Sequence, residues 1–114
     1  MRLRALVLAS GLLCSTSAFA QDKVMSHTSG NELFDRCNDG TTGQIAGELS
    51  CLAWVAGASD VLSFMRIICP PEDVTVGRMR DVLMRFLRDH PQDRHMAASY
   101  VAGVALWGAF PCKK

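Results

Sequence analysis

Five cysteines and three histidines are the residues of this chain whose types could do covalent or metal chemistry. A thiol beside an imidazole makes a nucleophile–base pair, and close cysteine or histidine pairs hold zinc. The spacing supports neither. No C-x-x-C occurs, so a zinc site lacks its paired ligands and a haem lacks its attachment motif. His90 and His95 straddle a turn in "DHPQDRH" without further ligands beside them, which reads as capping or solvent exposure. There is no G-x-S-x-G elbow and no G-x-x-x-x-G-K phosphate loop. Asp60 is the most prominent lone carboxylate. It reads as a helix-surface acid, or as a buried acid bonded to a neighbouring helix end, ahead of a catalytic acid or a partner contact, because no second carboxylate shares its spacing for acid–base work. The expectation is a chain with no catalytic residue, no metal and no cofactor.

The cysteines then call for a structural account. The chain opens "MRLRALVLASGLLCSTSAFA", with Arg2 and Arg4 before an apolar run and Ala18-Phe19-Ala20 as a cleavage site. That is the pattern of a secretory signal over residues 1–20. Its loss removes Cys14 and leaves Cys37, Cys51, Cys69 and Cys112, an even set suited to disulfides in an oxidising compartment. The exported chain of about 94 residues carries ten basic residues against eleven acidic ones. A balance so close to neutral argues against nucleic acid as a partner. No further apolar run reads as long and uninterrupted enough to cross a membrane. A soluble periplasmic protein is expected.

Helical spacing dominates the elements that would position these residues. Residues 21–28 read as a flexible leader before a single domain over residues 29–114. "SGNE" is a capping box for a short first helix bearing Leu33, Phe34 and Cys37, which Asn38-Asp39-Gly40 should stop. In "IAGELSCLAWVAGASDVLSFMR", Ile45, Leu49, Leu52, Val55, Ser59 and Leu62 form one stripe. Gly47 and Gly57 cost about 1 kcal/mol each in helix propensity but permit close approach of a neighbour. Cys69-Pro70-Pro71 ends the element. Thr75 is placed as an N-cap for a third helix whose inner face is Val76, Met79, Val82, Leu83, Phe86 and Leu87. Its outer side carries Arg78, Arg80, Arg85 and Arg88, a solvated face or a contact for an acidic protein surface, with Asp81 and Arg85 at ion-pair spacing. Pro91 suits a first helical turn. A fourth helix should turn Met96, Ala97, Tyr100, Val101, Val104 and Trp107 inward. Trp54, Tyr100 and Trp107 read as core or groove lining. The fold class is all-α, a compact bundle of about four helices with two disulfides.

Geometry ranks the three possible pairings. Cys51 and Cys69 lie near opposite ends of one helix, roughly 27 Å apart at 1.5 Å per residue, whereas a disulfide needs Cα atoms within about 7 Å. Running the helices up, down and up brings Cys112 to Cys69 and leaves Cys51 near Cys37. Cys37–Cys51 and Cys69–Cys112 are the expected bridges, and the second anchors a tail that would otherwise fray.

In order along the chain, "SGNELFDRC", "CLAWVAGASDVLS", "CPPEDVTVGRMRDVLMRFLRDHPQDRH" and "GAFPC" resemble the Tai/Rap family of type VI secretion immunity proteins. Ala53 and Trp54 depart from the family's C-x-G-Y pattern. The resemblance implies a helical periplasmic protein that protects its producer by binding a peptidoglycan amidase effector with a cysteine–histidine active site, injected by sister cells. It also implies a possible homodimer, and a loop of the immunity protein entering the toxin's substrate groove. On this chain Gln92, Asp93, Arg94 and His95 are the candidate partner-binding residues. The rival reading is a small disulfide-linked stress or chaperone-like module that exposes apolar surface on acidification, with His90 and His95 as triggers.

Overall fold

The capping box at Ser29 forms as the sequence dictates. In the computed structural model, which describes residues 28–41 and 44–114, the Ser29 N–H donates to Glu32 Oε2 at 2.7 Å and the Glu32 N–H to Ser29 Oγ at 3.2 Å. It opens α1, Gly30–Thr41. The expected signal over residues 1–20 and the leader up to His27 lie outside the described residues. Helix α1 runs on through Asn38-Asp39-Gly40, which were expected to stop it. The Cys37–Cys51 bridge fastens its last turns to the next helix, and that tether offsets weak helix formers.

Helix α2, Ile45–Phe64, is one continuous rod. It corrects the expectation that no further apolar run reaches membrane-spanning length: its 20 residues have a mean hydropathy of 1.3, enough to cross a bilayer by length and composition alone. Only Cys51, Val55 and Ser59 are buried along it. Of the expected inner stripe, Val55 and Ser59 are buried and Leu52 and Leu62 half-buried, whereas Ile45 and Leu49 at its start lie outside, where the bridge from Cys37 turns Cys51 inward instead. After Phe64 the chain turns sharply through Arg66, whose φ is 59°, and reaches Cys69 and its prolines.

Thr75 caps α3, Val76–Asp89, accepting from the Arg78 N–H at 3.1 Å. Met79, Leu83, Met84 and Leu87 are its buried residues, with Val76, Val82 and Phe86 half-buried beside them. The Asp81–Arg85 pair does not form; Asp81 instead meets Arg80 at 3.3 Å, and Arg80 reaches Glu48 of α2 at 3.8 Å. A 3-10 turn at Pro91–Asp93 leads to α4, Ala98–Ala109. Here too the expected face is corrected. Ala98, Val101, Ala102, Ala105 and Leu106 point inward, whereas Tyr100, Val104 and Trp107 are exposed. Small alanines allow α4 to settle close to the bundle, and the bulky residues are left on its outer side.

Among the described residues there is no strand, only an isolated bridge between Ser29 and Ala97. Leu33, Ile68, Leu83, Leu87, Val101 and Leu106 make the centre of the core. Both bridges form as geometry ranked them, Cys37–Cys51 with Cα atoms 5.0 Å apart and Cys69–Cys112 with 4.8 Å. The first is wholly buried. At the second, the Cys69 N–H also donates to the Phe110 carbonyl at 2.9 Å, so the tail is fixed by a hydrogen bond as well as a bridge.

Candidate partner-binding site

The turn between α3 and α4 is held from beneath. Arg94 Nε donates to the Leu87 carbonyl at 2.6 Å, and its guanidinium lies 3.9 Å above the Phe34 ring, a cation–π contact between the turn and α1. The Arg94 carbonyl accepts from the Asn31 N–H, and the Met96 carbonyl from the Gly30 N–H, both at 2.8 Å. These are free donors of the first turn of α1, so the start of one helix is satisfied by the backbone of the candidate loop. Ala98 N–H donates to the Thr28 carbonyl at 2.7 Å and closes the junction.

What faces outward is correspondingly defined. Pro91, Gln92 and His95 are exposed, and Asp93 is half-buried at the edge of a cleft of about 70 Å³ lined by Phe86, Met96 and Tyr100. His95 Nδ1 lies 2.8 Å from the Gln92 carbonyl. A carbonyl only accepts, so Nδ1 carries the proton there and Nε2 is the ring nitrogen left open to a partner. His90 is used differently. Its Nδ1 is 2.9 Å from the Phe86 carbonyl and its ring stacks on Phe86 at 4.0 Å, finishing the end of α3. The structure thus brings Gln92, Asp93, Arg94 and His95 onto one short turn and divides their work. Arg94 supports the turn, and Gln92 and His95 are free to meet a partner. Nothing in the sequence marked Arg94 as the support, because its partners Leu87, Phe34 and Asn31 are set by folding.

The remaining candidates are dispersed. Asp60 is exposed on α2. Arg78, Arg85 and Arg88 are exposed along α3, while Arg80 is engaged with Glu48 and Asp81. Among the described residues, Glu32 is a carboxyl held below its usual range, first by the Ser29 backbone N–H and then by the Ser29 side chain. No group of three or more His, Cys, Asp or Glu side chains suited to a metal occurs among the described residues. Sequence reasoning placed Trp54 as core or groove lining but missed the extent of the outward apolar surface. A groove of about 420 Å³ runs between α2 and α4, lined by Trp54, Gly57, Ala58, Val61, Leu62 and Ser99. Its signal was present as apolar residues on more than one face of both helices, but spacing alone does not say which face is covered.

A small helical body, clamped by two bridges and offering a stiff polar turn and an apolar flank, is built to be bound by another macromolecule. The chain matches the family model described as Rap1a immunity proteins over residues 29–112, and it belongs to that family. No curated protein and no solved structure matches it. Membership gives the chain a toxin-immunity role and implies a toxin as its partner. Immunity proteins of this family are generally non-catalytic and typically periplasmic, and the two disulfides fit an oxidising compartment.

Proposed function

We propose that this protein is the periplasmic antidote to a type VI secreted peptidoglycan amidase, protecting its producer from sister cells. It acts by obstruction, as a homodimer, and performs no chemistry. The turn at Pro91–Asp93, together with His95, enters the toxin's substrate groove and offers Gln92 and the His95 Nε2 as hydrogen-bonding groups. The observation that carries this reading is the bracing of the turn by Arg94 against Leu87 and Phe34 while Gln92 and His95 remain exposed. A plug of that kind loses little conformational entropy on binding.

The test is coexpression of the toxin and this chain in the periplasm, followed by titration of the purified pair. Gln92→Ala with His95→Ala is expected to weaken binding at least about tenfold, the loss expected when central interface groups are removed, with the unfolding transition unchanged. Arg94 is unsuitable for this test because its removal loosens the fold. Full affinity in the double variant would move the contact to another face. Failure of the chain to protect against any cell-wall amidase would remove the amidase.

A further inference from the structure

Asp93 is the odd member of its turn. Pro91, Gln92 and His95 are exposed, yet Asp93 is half-buried and lines a cleft between the end of α3 and the start of α4. Phe86, Met96, Val101 and Val104 give that cleft apolar walls, and Tyr100, 55% exposed, adds a second aromatic ring. Phe86 is held in place by the His90 ring stacked on it at 4.0 Å. Among the described residues no cation pairs with the Asp93 carboxylate. The ion pairs there join Arg80 to Glu48 and to Asp81, and the neighbouring Arg94 is committed to the Leu87 carbonyl and the Phe34 ring. The cleft holds about 70 Å³, room for roughly five groups at the ~10–15 Å³ that one water-sized group requires. An aromatic ring is too wide for it. An extended alkyl chain with a small head group fits.

We propose that this cleft takes a lysine side chain of the toxin, its alkyl stem against Met96, Val101 and Val104 and its ammonium on the Asp93 carboxylate. The identity of the partner rests on the function proposed above; the binding chemistry rests on the cleft alone. A carboxylate and two aromatic rings all favour a cation. An apolar side chain would cover Asp93 and leave its charge desolvated without a partner, and an anion would be repelled. Arginine's planar fork is broader than lysine's compact ammonium and suits a narrow cleft less well. Met96 can shift its thioether to follow the stem. Asp93 belongs to the turn and to the cleft at once, so a protein that meets Gln92 and His95 is within reach of it. The recess beside the turn then adds a condition that the turn alone does not impose. A toxin without a lysine at that place would bury the carboxylate unpaired, which is discrimination by penalty as well as by attraction.

Titration of the exported chain with n-butylammonium chloride, followed by NMR of the Met96 methyl and the Tyr100 ring, tests the cleft without any toxin. Saturable shifts are expected, with a dissociation constant on the order of millimolar for so small a ligand. n-Butyrate, a like stem with the opposite charge, should leave both signals unmoved. Asp93→Asn keeps the shape of the side chain and should weaken n-butylammonium at least about tenfold with the unfolding midpoint unchanged. Tyr100→Leu, at an exposed position, should weaken it about threefold. Against the toxin, Asp93→Asn should likewise cost about tenfold. Substituting the toxin's lysines one at a time should then find one whose loss harms the wild-type pair and leaves the Asp93→Asn pair unchanged. Shifts that do not saturate, equal shifts with n-butyrate, or an Asp93→Asn protein that binds n-butylammonium as well as wild type overturns the proposal. So does a toxin affinity indifferent to Asp93→Asn. A chain that takes n-butylammonium as expected but neutralises no amidase keeps the cleft and loses the amidase, so the two failures are read apart.

Discussion

Gly30→Ala is a one-methyl perturbation aimed at the joint between α1 and the candidate turn. A Cβ at Gly30 would lie 2.8 Å from the Arg94 carbonyl oxygen and 3.0 Å from its Cα. Both are backbone atoms, so no side chain can swing away, and the turn or the helix start must move. Overpacking of this kind costs typically 1–3 kcal/mol. The same displacement stretches the hydrogen bonds from Gly30 to Met96 and from Asn31 to Arg94, each worth about 1 kcal/mol net. Alanine's better helix propensity returns up to about 1 kcal/mol, which leaves a net loss of about 2 kcal/mol and a fall in Tm on the order of 10 °C for a domain of this size. Urea and thermal unfolding of the oxidised protein measure it. Gly108→Ala is the control, because a Cβ at that exposed helical position meets nothing within 4 Å; it should be neutral or slightly stabilising. If Gly30→Ala proved as stable as wild type, or Gly108→Ala lost as much, the close approach would not be holding the turn.

Other outcomes follow from the same contacts. Removing the Cys69–Cys112 bridge should cost about 4 kcal/mol and removing Cys37–Cys51 about 3 kcal/mol, by loop length in the chain-entropy model; denaturant midpoints of the two double-serine variants check the order. Because Cys69 is exposed and Cys37 and Cys51 are buried, mild reductant should open the tail bridge first, as read by mass-tagging of released thiols. Ser59→Ala should raise stability by about 1 kcal/mol, since Ser59 Oγ is buried without a hydrogen-bond partner and its desolvation is uncompensated. Glu32 titrates below the usual carboxylate range, so the cap it makes stabilises the fold above the unfolded pKa and is lost as pH falls through the folded one. The protection factor of the Ser29 amide, exchange measured against its intrinsic rate at each pH, should fall over that acid window in wild type and be low throughout in Glu32→Ala.

Helix count, the Ser29–Glu32 box, the Thr75 cap and both bridges were legible because each rests on local chemistry or on simple distance along a rod. The facing of the first turns of α2, and of the bulky residues of α4, was not. In α2, apolar residues occupy nearly the whole circumference, so Ile45 and Leu49 are as acceptable inside as Cys51 until the bridge decides. In α4 the alanines decide, since Ala98, Ala102 and Ala105 carry little hydrophobic weight in a pattern yet permit the closest packing. α3, with arginines confined to one side, read well. The site divides in the same way. Proline and polar residues marked the turn, but the role of Arg94 depends on Phe34, distant in sequence, and no local pattern encodes that distance.

The placement of rigidity bears on how the obstruction proposed above would work. A blocking turn must resist being pushed aside by a groove that was shaped for another ligand. Each ordered residue it would otherwise have to freeze on binding costs ~1–2 kcal/mol of backbone entropy. Here that cost is met on folding. Asn31 and Gly30 donate to the turn from the start of α1, Leu87 accepts Arg94 from the end of α3, and Ala98 ties in the start of α4 through Thr28. Three helix termini that would need capping in any case satisfy their free groups on one another at this point. The bridge at Cys69 does the same for the tail at the other end of α4. Stability and preorganisation therefore come from the same contacts, and Arg94→Ala should weaken both together. A variant that lowered the unfolding midpoint by the expected hydrogen bond and cation–π contact, about 2 kcal/mol, yet bound the toxin unchanged while folded, would show that the turn's stiffness has no part in recognition.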